Sequence, residues 1–296
     1  MVFIRSLSLA MTALILTATF VSADSDWDDR MASAGRNYRL GLYQEARDAL
    51  EEMLTEAKNS GQLDLRYAEV ENNLADVLSA QGHYDQAESL YKQAMQIRLQ
   101  MSGPTSSDLA VSITGLADVY RALGRSPEAL QLLRRALKIA AHINDTVTQG
   151  GEFQGGERFL NSLLQDPASI PGSPELARVL VSFGGWYEER GQYDIAIKMY
   201  KKVVAILDVP ASQDVSALFR KPWEGGCDLG QGLIQLADVY MLQSQPVESE
   251  RLYKRALAYR QRALGTDDPR VVQARNKLAE FYRRENRSSE AEEVER

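Results

Sequence analysis

The 296-residue sequence predicts an all-α solenoid built from about six helix-turn-helix hairpins. Three observations predict it. A small residue, then an aromatic or large apolar one three positions on, then a glycine, then an alanine, recurs in one frame along most of the chain. Within each unit the apolar positions return every three or four residues, the spacing of an amphipathic helix. The apolar content of 44% is enough for a core, and stacked units account for a length that would otherwise suggest two globular domains.

The elements follow in chain order. Arg5 precedes an apolar run from Leu7 to Phe20, and Val21-Ser22-Ala23 places small residues where a signal peptidase reads. Residues 1–23 are therefore expected to be a signal peptide. The run falls short of the roughly 20 apolar residues a membrane span needs, and Asp24, Asp26, Asp28 and Asp29 follow it at once. No later stretch is apolar enough to span a bilayer, so no integral span is expected after signal removal and the mature protein is placed outside the cell or in a periplasm.

Residues 24–296 read as one repeat domain. Its units lie near 27–60, 68–101, 110–143, 177–207, 230–263 and 272–296. The clearest is marked by Ala75, Leu78, Gly82, Tyr84, Ala87, Tyr91 and Ala94, and Ala117, Tyr120, Gly124, Ala129, Leu133 and Ala136 repeat it 42 residues on. Gly184, Tyr187, Gly191, Tyr193, Ala196 and Tyr200 give a third match. Ala237, Tyr240, Ser249, Tyr253 and Ala256 give a fourth, Ala279, Tyr282 and Ala291 a fifth, and Ala34, Gly41, Ala46 and Leu50 a weaker first unit. Gln81-Gly82-His83 interrupts the pattern, with the glycine suited to end a helix in the left-handed conformation. Alanines such as Ala87 and Ala129 are expected where paired helices cross, so enlarging either to leucine costs about 1–3 kcal/mol. That cost is expected to exceed any change at Asp76 or Asp118, read as lying on a wet surface. Two stretches break the period, 143–175 and 208–229. The first carries glycine pairs, three prolines and a candidate short helix from Phe159 to Leu164, and the second carries Phe219, Pro222 and Trp223. Insertions of this length are functional or disordered in compact arrays.

This pattern of small residue, tyrosine, alanine, aromatic and alanine resembles the tetratricopeptide repeat. The 42-residue period is similar to the kinesin-light-chain type, as are Asn72-Asn73-Leu74-Ala75-Asp76-Val77, the run from Gly82 to Ala94, and Leu264-Gly265-Thr266-Asp267-Asp268-Pro269. The resemblance implies a right-handed α-solenoid and a protein-binding scaffold, with no cofactor.

The rest of the composition narrows the function. The net charge is −7, and loss of Arg5 with the leader makes it −8, which disfavours a nucleic-acid partner. Cys227 is the only cysteine, so no internal disulfide forms and stability rests on packing. His83 and His142 are the only histidines and fall at a repeat junction or helix end. Two histidines and one cysteine at unrelated spacings make neither a zinc site nor a catalytic set. The run from Gly150 to Arg158 lacks the lysine and hydroxyl of a phosphate loop. No enzyme activity is expected.

The resemblance places the first helix of each unit on the concave face. There Asp76, Asp118, Asp238 and Glu280 follow the small residue directly, Asn73 and Gln235 lie two before it, and Arg121 lies further along the same face. An acidic stripe in a groove points to a peptide or protein segment with basic or amide groups, held through charge-assisted hydrogen bonds, with Asn73 and Gln235 on its backbone. Acids occupy the places where a terminal-carboxylate clamp would need lysine and asparagine. The competing expectation is a structural or assembly role in an envelope complex, by self-association or through the insertions.

Overall fold

The computed structural model describes residues 26–59, 61, 64–141, 173–208 and 228–296. Among these residues the secondary structure is helical throughout. Six hairpins follow one another: α1 (26–39) with α2 (Tyr43–Asn59), α3 (Leu65–Ala80) with α4 (Tyr84–Ser102), and α5 (Ser107–Ala122) with α6 (Ser126–Ala140). Then come α7 (Pro174–Glu188) with α8 (Tyr193–Leu207), α9 (Leu229–Leu242) with α10 (Pro246–Leu264), and α11 (Pro269–Arg284) with α12 (Ser288–Glu295). From α2 onward each helix packs on the next, and α7 docks on both α5 and α6 although residues 142–172 separate them in sequence. The result is a solenoid. The candidate short helix at Phe159–Leu164, the leader, His142, Cys227, Phe219 and Trp223 lie outside the described residues.

The hairpin turns repeat one mechanism. Seven residues after the small residue of each unit stand Gly41, Gly82, Gly124, Gly191, Ser244 and Asn286, all with positive φ between 58° and 80°. At the second turn the Gly82 amide donates to the Ser79 carbonyl and the His83 amide to Leu78, closing the end of α3, and the other five turns bond likewise. The fifth and sixth units lack the glycine that marks this turn in the sequence, and Ser244 and Asn286 fill its place. Asparagine is the side chain that best tolerates such a φ, whereas serine bears a cost.

Small residues sit at the crossings. Ala34, Ala75, Ala117, Ala237 and Ala279 on the first helices, and Ala46, Ala87, Ala129, Ala196, Ser249 and Ala291 on the second, are at most 1% exposed. The larger side chains divide at the third hairpin. Leu116, Val119, Tyr120 and Ala129 join a core running back to Met31, while Ile113, Ala117, Leu133 and Leu137 join one running on to Ala291. Each hairpin thus buries one face on each neighbour, as a stacked array requires.

Two of the junctions between hairpins carry a buried arginine. Arg98, seven residues after Tyr91, donates to the Asp108 carbonyl at 2.8 Å, to Ser112 Oγ at 2.6 Å and to Asn72 Oδ1 at 3.2 Å. Arg260, seven after Tyr253, donates to the Arg270 carbonyl at 2.9 Å, to Gln273 at 2.8 Å and to Asp228 at 3.0 Å. Each guanidinium therefore ties the end of one hairpin to the carbonyl ten residues on, at the start of the next. Ala140 and Leu207 hold the equivalent places in the third and fourth hairpins, the two that precede the long insertions.

Candidate functional site

The first helices face one another across the concavity. A cavity of about 260 Å³ lies where α1, α3, α5 and α7 converge, lined by Tyr38, Asp76, Tyr91, Asp118, Arg178 and Ser182 among others. Gly115 permits this closeness: a Cβ there would stand 2.5 Å from the Tyr91 ring.

The stripe read as acidic is interleaved with cations. Asp76 accepts a short hydrogen bond from the Tyr91 hydroxyl and one from Arg178 at 3.4 Å. Its side chain is 14% exposed and that of Arg178 19%. Asp76 is thus not on a wet surface as the sequence suggested, because the curvature of the array brings α7 across to α3. Asp118 accepts from Ser182 at 2.9 Å and pairs with Arg121 at 3.2 Å. Arg121 also donates to the Ser182 carbonyl and pairs with Glu189, so it joins α5 to α7. Asp238 repeats the arrangement of Asp76, accepting from the Tyr253 hydroxyl and from Lys277 at 3.3 Å. A basic guest would have to displace one of these internal partners.

The remaining candidates differ in position. Asn73 is 3% exposed and its amide donates to Met31 Sδ at 3.1 Å, so it is spent on packing against α1. Gln235 is half-buried. Glu280 is exposed and accepts from Arg284 at 2.8 Å. Electrostatics follow the geometry. Desolvation within the concavity holds the Asp118 carboxyl above its usual range, against Arg121 and Ser182. Burial likewise raises Glu188, against the hydrogen bond from Tyr200. Burial also raises the Tyr91 hydroxyl, with Asp76 adding to it, so the phenol stays a donor at neutral pH.

A second opening was not foreseen from sequence. A cleft of about 690 Å³ lies between the α1–α2 turn and the first turns of α11, so the curved array brings its first and last hairpins opposite each other. Periodicity within a unit says nothing of how many units complete a turn of the array, so no local signal marks this meeting. Among the described residues no cluster of histidine, cysteine, aspartate and glutamate is placed to hold a metal, and no helix is long and apolar enough to cross a membrane.

Six stacked hairpins with small residues at every crossing define a helical-repeat scaffold. The chain belongs to the tetratricopeptide repeat family, whose model matches residues 33–100, 66–141 and 228–296. The crystal structure of BtubC (BKLC) from P. vanneervenii is similar over 85% of this chain and 87% of that one, at 20% identity and a TM-score of 0.53. Kinesin-light-chain TPR-like repeats from Podosopora anserina align over 79% of this chain and 93% of theirs, at 19% identity and a TM-score of 0.49. At such identities the likeness concerns the fold alone. No curated protein gives a significant match. The fold is that of protein–protein interaction scaffolds, and no catalytic family is indicated.

Proposed function

We propose that the protein is an exported, non-enzymatic scaffold that holds a peptide or protein segment in the concave groove of its solenoid. The observation that carries this reading is the groove itself: polar side chains from successive first helices converge on one inner surface, and their pairings with one another are exchangeable at the more exposed sites. Asp118 and Asp238 are the places where basic or amide groups of a guest exchange with Arg121 or Lys277, since 39% and 25% of the two aspartate side chains is exposed. Asp76, held by Tyr91 and Arg178, shapes the wall beside them. Export rests on the apolar leader in residues 1–23. Crosslinking in the native compartment followed by mass spectrometry tests the reading. The expected result is a protein partner crosslinked by the native chain and lost from Asp118→Lys/Asp238→Lys; a partner retained by that variant, or none at all, counts against the groove.

A competing reading is assembly with copies of itself or with an envelope complex. It draws on apolar side chains left open at the hairpin turns, with Leu40 52%, Leu242 52% and Val247 78% exposed. Light scattering separates the two, since a monomer at every concentration removes self-association.

A further inference from the structure

We infer that the cavity where α1, α3, α5 and α7 converge is a specificity pocket for one neutral side-chain amide, an asparagine or glutamine, of the guest segment. The inference rests on the groove reading above and names what the guest presents at this point of the groove. Arg178 carries the first part of the argument. A guanidinium has five N–H donors. Among the described residues Arg178 makes one hydrogen bond, to Asp76 at 3.4 Å, which is long for an N–H···O contact. Its side chain lines the cavity and is 19% exposed. None of its nitrogens is among the buried atoms that lack a hydrogen bond, so its spare donors are open to a guest. Asp118 lines the same cavity and supplies acceptors. It carries Ser182 on one oxygen and Arg121 on the other. A carboxylate has about four lone-pair sites, so each oxygen can accept once more.

Charge selects among guests. Burial opposes the charge on Arg178, and Asp76 and Asp118 are among the groups that outweigh it, so the guanidinium stays charged. A lysine or arginine of the guest entering here would meet Arg178, and a carboxylate would meet Asp76 and Asp118. Either would also lose its water on entry, which a charged group recovers only through well-matched partners. A primary amide is neutral, accepts through its carbonyl and donates through its NH2 group. It can therefore take an N–H from Arg178 and give one to Asp118 without disturbing the Asp76–Arg178 pair. Ala80 and Val181 complete the lining with apolar surface for the methylenes that carry the amide. A volume of about 260 Å³ admits one such side chain and a few waters.

The test uses the purified full chain and four labelled decapeptides, alternating Gln, Glu, Lys or Ser with Leu, read by fluorescence anisotropy. The Gln-Leu peptide is expected to bind most tightly and, being neutral, to keep its affinity as salt is added. Arg178→Met is expected to weaken it about tenfold, the loss of a hydrogen bond to a charged group. Ser79→Leu fills the cavity from its rim, leaves the Asp76–Arg178 pair in place, and is expected to weaken it by a similar factor. Circular dichroism and melting temperature show that the variants fold, and Ser79→Leu decides alone if Arg178→Met does not. Preference for the Lys-Leu peptide with dependence on Asp118 and Asp238 overturns this inference and leaves the groove reading standing. Preference for the Glu-Leu peptide overturns it, because Arg178 would then act as an unneutralised cation. Gln-Leu binding that is indifferent to Ser79→Leu also overturns it. Failure of all four peptides overturns it too, and the groove reading then stands or falls on the crosslinked partner and its loss in the Asp118→Lys/Asp238→Lys variant.

Discussion

Glu71 lies within α3 with 1% of its surface exposed and one carboxylate oxygen, Oε2, lacking a hydrogen bond. Burial pushes its carboxyl up to about 7, against the hydrogen bond from Tyr67 and the charge of Arg98. The folded state therefore binds this proton more tightly than the unfolded chain, whose value is near 4.5. Its contribution to stability is full below about pH 4.5 and is lost as pH rises through about 7. Glu71→Gln is expected to raise stability at pH 8 by about 1–3 kcal/mol and to change it little at pH 4, measured by urea unfolding at the two values. Ala87 makes the opposite kind of prediction. It is fully buried at a helix crossing, so Ala87→Leu is expected to cost about 1–3 kcal/mol. Asp118→Asn keeps an acceptor for Ser182 in a partly solvated groove and is expected to cost less than about 1 kcal/mol. Thermal melts of the two variants rank them, and a costlier Asp118→Asn would mean that the charge pairing with Arg121 outweighs the crossing.

Between elements, the arginine junctions differ in what they leave behind. Arg98 serves neutral groups, the Asp108 carbonyl, Ser112 and Asn72. Arg260 serves an acid as well, and the Asp228 side chain is only 3% exposed. Asp228 also caps α9, accepting from the Gln231 amide at 2.5 Å. Removing Arg260 strands that carboxylate in the interior with Arg270 3.9 Å away as its nearest cation. Arg260→Ala is accordingly expected to cost about 3–5 kcal/mol, and Arg98→Ala about 1–3 kcal/mol. Denaturant titration of both variants checks the order. Gly230 adds a geometric reason for the fit at this junction, since a Cβ there would lie 2.3 Å from Arg260 Nε. Small residues beside Tyr91 and Arg260 thus let bulky polar side chains enter a packed joint.

Across the whole molecule, stability follows neighbours. The inner hairpins bury both faces, whereas α12 spans eight residues and buries only Ala291 fully. Hydrogen exchange is expected to be fastest in α12 among the helices and slowest in α5, α7 and α9, which sit between neighbours on both sides. Exchange in α5 as fast as in α12 would contradict nearest-neighbour stacking. The same curvature that places α7 over α3 brings the first and last hairpins together, so both the Asp76–Arg178 pair and the end-to-end cleft are properties of the array and of no single unit.

The helices, their pairing, the small residues at crossings and the turn at Gly82 were legible in the chain because each depends on spacing within about 40 residues. Amphipathic period and left-handed turn residues are local rules, and the units repeat them. Ser244 and Asn286 escaped only because another residue stands in for glycine, although the seven-residue offset from Ala237 and Ala279 marks them. Arg98 and Arg260 were likewise in plain register, seven after Tyr91 and Tyr253, but a lone arginine on a helix reads as solvated until its carbonyl partner is seen. The sequence could place Asp76, Asp118 and Asp238 on one face; only the tertiary structure could give them Arg178, Arg121 and Lys277, bury Asn73 against Met31 and set Arg39 opposite Arg270. These contacts are decided by how small rotations between hairpins accumulate along the array, a sum over every junction that no single repeat contains.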